Sequence, residues 1–180
     1  RKIHYGGRPV EVTGVGYAPE GAFKGLAPED RAAGSGLELL LKAGVFCNDS
    51  ALEEKDGRWS VKGDPTEGAL VVAAAKFGLN PTELRLENPR IEEIPFSSER
   101  KRMTTLHQMR DGRILAILKG APELALAACD RILDGGGSRE LTADGRQKIA
   151  KANAAMASDA LRVLGFAYRE VREGTDIREE

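Results

Sequence analysis

Phe96 closes a short apolar run, and a basic cluster follows it in Ser97-Ser98-Glu99-Arg100-Lys101-Arg102-Met103. Farther on, Lys119 ends the apolar run Ile114 to Leu118 and leads into Gly120-Ala121-Pro122-Glu123. A ring at such a break can offer its face to a flat base, a contact that contributes about 1–3 kcal/mol and tolerates different bases. Clustered cations suit phosphate oxygens. Together these are the parts needed to hold a nucleotide without a glycine-rich phosphate loop, and no Gly-x-x-x-x-Gly-Lys-Ser/Thr run occurs.

Period-2 alternation sharpens this reading. Ile94 and Phe96 fall on one face of a strand, and Lys101 and Met103 share a face with Arg100 and Arg102 opposite. That gives a wall carrying one cation and one thioether. A strand ending in Lys119-Gly120 exposes backbone and sets an ammonium at the mouth of a sheet, beside a helix start that favours anions. Each feature also has a plainer use: Phe96 as core, the charged triplet as solvated surface, Lys119 as a snorkelling strand end.

The spelling around Lys119 imitates a different nucleotide enzyme. Ala116-Ile117-Leu118-Lys119 resembles the kinase strand lysine and Ala121-Pro122-Glu123 the kinase Ala-Pro-Glu. Kinases separate those elements by much of a domain and need His-Arg-Asp and Asp-Phe-Gly between them, and neither occurs here. His4 and His107 are too isolated to form a metal or catalytic set.

The elements that must position these residues are legible. Val10, Val12 and Val15 mark a strand over 8–17, residues 21–28 form a loop, and Leu37 to Phe46 carries helical spacing. Asp56-Gly57, between Leu52 and Val61, is a type I′ hairpin signal, and Asp111-Gly112 a stronger hairpin signal between strands 101–110 and 113–119. Asp64 can cap a helix with Pro65 at its first position and Glu67 closing a capping box. Ile91, Ile94 and Phe96 mark a strand. Pro122 opens a short helix to Cys129, Gly135 to Gly137 turns a small hairpin, Thr142 caps a helix to Ala157, and 162–171 is the last strand. Tight hairpins among interspersed helices imply an α+β fold, a largely antiparallel twisted sheet flanked by helices.

Composition sets the outer limits. The chain has 180 residues, with Lys plus Arg 27 against Asp plus Glu 28, so no global field points to nucleic acid or an anionic membrane. It suits one domain spanning 1–180, able to bury about 70% of its unfolded surface. No run approaches the ~20 apolar residues that span a bilayer. Cys47 and Cys129 lack metal-type spacing and read as small buried apolar residues in a reducing compartment. Arg1-Lys2-Ile3-His4 at one end and the charged 169–180 stretch at the other suggest a segment of something longer.

Two further segments complete a pattern: Lys62-Gly63-Asp64-Pro65-Thr66-Glu67-Gly68-Ala69-Leu70 and Asp159-Ala160-Leu161-Arg162-Val163-Leu164-Gly165-Phe166-Ala167. In order and spacing the four segments resemble the nucleotide-binding domain of P-type cation-transporting ATPases, nearest the calcium-pump-like branch, over most of the chain. The resemblance implies ATP as ligand, with magnesium in the parent enzyme. It implies that Phe96 stacks on adenine, Glu67 accepts from the adenine amine, and Lys101 and Met103 line the pocket. Lys119, followed by Gly120, sits deep in it, Arg162 lies near the phosphates, and Leu164 rests against the nucleotide. Animal calcium pumps carry an arginine where Ser98 stands, a departure that leaves one phosphate contact either missing or transferred to Arg100. The phosphorylated aspartate of such pumps lies in Asp-Lys-Thr-Gly-Thr, which is nowhere in these residues. The expectation is therefore a monomeric fragment of a membrane pump, exposed at the cytoplasmic face. It would work with phosphorylation and actuator domains and hydrolyse nothing alone. The competing readings are an interaction module using the basic hairpin and a stand-alone ATP-hydrolysing enzyme.

Overall fold

The computed structural model describes residues 1–134 and 137–175. Its first third comprises strands β1 (Lys2–Tyr5), β2 (Arg8–Val12) and β3 (Phe23–Lys24), then helix α1 (Gly36–Phe46). There follow β4 (Ala51–Lys55), β5 (Arg58–Lys62), α2 (Pro65–Lys76) and α3 (Pro81–Glu87). Next come β6 (Arg90–Ser97), β7 (Arg102–Gln108), β8 (Ile114–Gly120) and α4 (Pro122–Ala127). The hairpin β9 (Arg131–Asp134) and β10 (Gly137–Glu140), then α5 (Ala143–Ser158) and β11 (Gly165–Val171), complete the order. Every ladder is antiparallel, and an α+β fold results.

Among the described residues the ladders form four separate sheets: β1-β2-β3, the β4-β5 and β9-β10 hairpins, and a four-stranded sheet ordered β11-β8-β7-β6. One face of the four-stranded sheet carries Met103, Leu115 and Ile117 against Ala43 and Phe46 of α1 and against Cys47, its C-cap. Its opposite face gathers Leu106, Ile114 and Ala116 with Ile94 and Val171. The small sheet supplies Tyr5, Val10 and Phe23 to a second core containing Leu37, Leu41 and Val45 of α1 and Ala74 of α2. Leu37, Leu41 and Val45 recur at four-residue spacing and line one side of α1, while Ala43, Phe46 and Cys47 line another. α1 is thus apolar nearly all round because two layers close on it. Each fully buried side chain such as Leu37, Phe46 or Ile117 contributes about 1.5–3 kcal/mol of transfer free energy.

Caps and turns follow local chemistry. Asp56 and Gly57 both take left-handed φ (52° and 72°), and Lys55 pairs with Arg58, as a two-residue type I′ loop requires. At Asp111-Gly112 the loop is longer: Gly112 N–H donates to Met109 C=O at 2.9 Å, and Met109 N–H to Arg113 C=O at 2.8 Å. Ser35, Asp64, Asn80 and Thr142 cap α1, α2, α3 and α5 through side-chain oxygens.

Several boundaries differ from the sequence reading. The strand expected over 8–17 ends at Val12, and Val15 is exposed, with Gly14 and Gly16 in left-handed φ breaking the extension. The 21–28 loop contains β3, which finds its partner in β2 across a long intervening segment. β7 begins at Arg102 because Lys101 has φ of 50° and belongs to a turn. β11 begins at Gly165, so Arg162 and Leu164 lie on the approach to the strand. The β9-β10 hairpin pairs Gly137 with Asp134, while Gly135 and Gly136 lie outside the described residues, as do 176–180. Cys47 is buried and Cys129 partly so, both as free thiols.

Candidate functional site

Antiparallel order brings the end of β6, the start of β7, the end of β8 and the start of β11 to one end of the four-stranded sheet. Lys119 is the last-but-one residue of β8 and continues the stripe Leu115, Ile117 toward α1. It is only 5% exposed. An isolated ammonium there would cost several kcal/mol, but this one is engaged twice. Its Nζ donates to Cys47 C=O at 2.5 Å and to Glu67 Oε1. Glu67 Oε2 in turn accepts the Asp49 N–H at 2.9 Å.

This geometry corrects the capping box. Asp64 caps α2 as expected, accepting from Thr66 N–H at 2.8 Å and Glu67 N–H at 3.1 Å. The Glu67 carboxylate turns away from the Asp64 backbone. A nearly buried ammonium and the Asp49 N–H together offer it more than the N–H of the exposed Asp64, which is open to solvent. The Asp64 carboxyl is held below its usual range, first by the Glu67 N–H, with smaller help from Thr66 and from the charge of Arg162. Arg162, itself exposed, thereby stands within electrostatic reach of the start of α2.

Met103 pairs with Lys119 across the β7-β8 ladder and is 3% exposed, packed among Phe46, Cys47 and Ile117. It forms the floor beneath Lys119 rather than an open wall. Phe96 is 57% exposed at the rim. A bulge separates it from Ile94: Ile94 pairs with Thr104 and Ser97 with Arg102, three steps on β6 against two on β7. The strict alternation expected for Ile94 and Phe96 therefore fails between them. β6 is an edge strand, where Pro95 costs no ladder bond.

The 97–101 turn is closed by Lys101 N–H to Ser97 C=O at 2.7 Å, and Lys101 C=O accepts from Ala121 N–H at 3.0 Å. The left-handed φ of Lys101 releases its side chain from the face of Met103 and leaves it exposed. Arg100 Nη1 reaches back to Pro95 C=O at 3.4 Å. Gly120 makes this approach possible. A Cβ there would meet Lys101 C=O at 2.6 Å and Arg102 Cβ at 2.7 Å. Gly120 also pairs with Gly165, immediately after the half-buried Leu164.

The fold thus brings Phe96, Lys101, Met103, Lys119, Gly120 and Leu164 to one sheet end, with Glu67 bonded to Lys119 and Arg162 near the cap of α2. Sequence reasoning missed Cys47, Asp49 and the buried Asn48. The Asn48 amide donates to Gly44 C=O and Glu67 C=O, both at 2.8 Å, tying α1 to α2. The signal was a polar run, Asn48-Asp49-Ser50, directly after an apolar helix. The sheet end is an open ledge. Two clefts lie elsewhere, one of about 320 Å³ beside Leu106 and Thr175 and one of about 290 Å³ beside Arg85, Arg90 and His107. No helix among the described residues is long and apolar enough to cross a membrane.

Comparison with known families names the class of domain to which this sheet end belongs, the N domain of P-type ATPases. Residues 36–179 match the family model of that domain, and the chain belongs to this family. It is 39% identical over 175 residues to the cation-transporting ATPase pma1 of Synechocystis sp., covering 94% of this chain and 19% of that protein. It is 34% identical over 173 residues to the calcium-transporting ATPase of Bacillus subtilis, with 94% and 19% covered. It is 41% identical over 164 residues to the probable cation-transporting ATPase F of Mycobacterium tuberculosis, with 86% and 17% covered. The chain therefore spans less than a fifth of the length of these relatives.

Proposed function

We propose that residues 1–180 are the single nucleotide-binding domain of a longer P-type cation pump and that the sheet end binds ATP. The observation that carries this reading is the Lys119–Glu67 pair, held at the mouth of the sheet where an exposed ring, a mobile-length lysine and a close-packed glycine converge. Phe96 stacks on the adenine, and Glu67 accepts from its amine with a lone pair not spent on Lys119 or Asp49. Lys101 and Arg162 meet phosphate oxygens, Lys119 lies deepest, and Met103 and Leu164 give apolar support. The backbone at Gly120 lets the ligand approach closely.

In the parent, ATP with magnesium presents its γ-phosphate to an aspartate on a separate phosphorylation domain, and an actuator domain takes part in the cycle. Calcium is the cation we propose, on the names of relatives such as the Bacillus subtilis calcium-transporting ATPase. The domain then works at the cytoplasmic face of a membrane, and the 180-residue chain, as a monomer, has no turnover of its own.

A ledge with one ring and a few cations supports roughly −4 to −6 kcal/mol, a millimolar to tens-of-micromolar dissociation constant. Titrating ATP while following backbone amide resonances tests this. Shifts concentrated at Glu67, Phe96, Lys101, Lys119 and Leu164 are expected. No shifts at several millimolar ATP, or shifts scattered over the surface, would refute it and favour an interaction module.

A further inference from the structure

The C-terminal end of α1 poses an electrostatic problem. Its last carbonyls lack intrahelical partners and carry the negative end of the helix dipole, yet the last turn of α1 contains no basic residue. Cations from three other elements fill the role. Arg85 of α3 donates to Val45 C=O and Asn48 C=O at 3.2 Å and to Ser50 C=O at 2.8 Å. Arg90, opening β6, donates to Phe46 C=O at 3.0 Å, to Asn48 C=O at 2.9 Å and to Asp49 Oδ1 at 2.7 Å. Lys119 takes Cys47 C=O, the carbonyl between Val45 and Asn48 that neither arginine holds.

This arrangement couples two places that look unrelated. The segment gripped by Arg85 and Arg90 presents one carbonyl, at Cys47, and one amide, at Asp49, to the Lys119–Glu67 pair. We infer that Arg85 and Arg90, remote from the ledge, are positioning residues for nucleotide binding. They occupy the competing carbonyls and fix the Cys47–Ser50 segment so that Lys119 and Glu67 stay in one geometry. Without Arg90, the Phe46 carbonyl loses its arginine, the Asn48 carbonyl keeps only Arg85, and Asp49 loses its anchor. Lys119 then divides its time among several carbonyls. The inference rests on the ATP-binding reading above for its effect on affinity, and on geometry alone for its effect on Lys119.

The test uses the 180-residue chain with Arg90→Gln, Arg85→Gln and Arg90→Lys, and Arg110→Gln as a control at an exposed ion pair. ATP affinity is read by amide resonance titration. Without nucleotide, Lys119 acylation by a limiting amine reagent is read by mass spectrometry. Arg90→Gln and Arg85→Gln are each expected to weaken ATP roughly tenfold and to raise Lys119 acylation several-fold. Arg90→Lys should restore part of both, and Arg110→Gln should change neither. A purely structural role would lower the melting temperature without changing Lys119 acylation in the folded population. If Arg90→Gln does not fold, Asp49→Asn keeps the amide to Glu67, removes one of the two carboxylates on Arg90 while leaving Glu93, and should move both readouts in the same direction. Folded variants with wild-type affinity and wild-type acylation overturn the inference. Should the wild-type chain itself ignore ATP, the nucleotide reading falls, and acylation alone decides whether the arginines position Lys119.

Discussion

The Lys119–Glu67 pair lends itself to a double-mutant cycle. Lys119→Met replaces the side chain with one of similar length that suits the neighbouring Met103 and Ile117, but leaves Cys47 C=O and the Glu67 carboxylate without their cation. Glu67→Gln keeps an acceptor for Asp49 N–H and removes only the charge facing Lys119. The side chains are 7% and 19% exposed, so the interaction is screened far less than a surface pair. An effective dielectric near 20 puts the Coulomb attraction of a contact pair at about 4 kcal/mol before desolvation is subtracted. Loss of a hydrogen bond to a charged group costs about 1.5–3 kcal/mol. Each single variant should therefore lose about 2–3 kcal/mol of unfolding free energy, and the double variant should lose about 2 kcal/mol less than the sum. Urea titrations followed by circular dichroism at neutral pH give all four corners. The Lys148–Asp144 pair on α5, 74% and 68% exposed, serves as reference and should show a coupling of about 0.5 kcal/mol or less. A Lys119–Glu67 coupling no larger than that of the reference would refute the description of this pair as a buried, structure-bearing contact.

Other outcomes follow from other parts of the molecule. His107 is buried, bonded to Asn88 C=O and Thr105 Oγ1, and burial pushes its pKa down to about 4 from the ordinary 6.5 of a free imidazole. The unfolded chain binds the extra proton first, so His107 leaves stability intact above about pH 6.5 and removes about 3 kcal/mol as pH falls to 4. Urea midpoints compared between wild type and His107→Gln across that window would check it, and parallel pH profiles would count against it. Phe96→Ala should weaken ATP, ADP and AMP alike by about 1–3 kcal/mol, whereas Arg162→Ala should weaken ATP more than AMP; calorimetric titrations with the three nucleotides separate the roles. Gly120→Ala should destabilise the chain by about 1–3 kcal/mol, because the new methyl meets Lys101 C=O and Arg102 Cβ inside contact distance; an unchanged melting curve would contradict that close approach.

What could be read from the sequence was whatever chemistry acts over a few residues. Asp64-Pro65, Thr142 and Asp56-Gly57 each satisfy backbone groups within the same turn, so their roles survive into the fold. Lys119 stood out because an apolar strand ending in a lysine is a local contradiction, and that contradiction is resolved at the candidate site. Apart from the strand cut short by Gly14 and Gly16, the failures are long-range. The Glu67 carboxylate abandons its local partner for Lys119, which lies 52 residues away. The bulge before Ser97 and the left-handed Lys101 come from pairing β6 with β7 around a tight turn, which no period in the sequence records. Arg85 and Arg90 look like surface charges on α3 and β6 until the end of α1 is placed against them.

The position of α1 between two cores has a consequence for where this chain can be cut. The family match starts at residue 36, the first residue of α1. The strands that precede it supply Tyr5, Val10 and Phe23 to the cover over Leu37, Leu41 and Val45. A protein begun at Gly36 would keep every residue of the candidate ledge and still open one side of its central helix to water. Contiguous apolar surface of that kind promotes self-association. The family boundary and the folding boundary of this chain are different lines, and soluble material depends on the second.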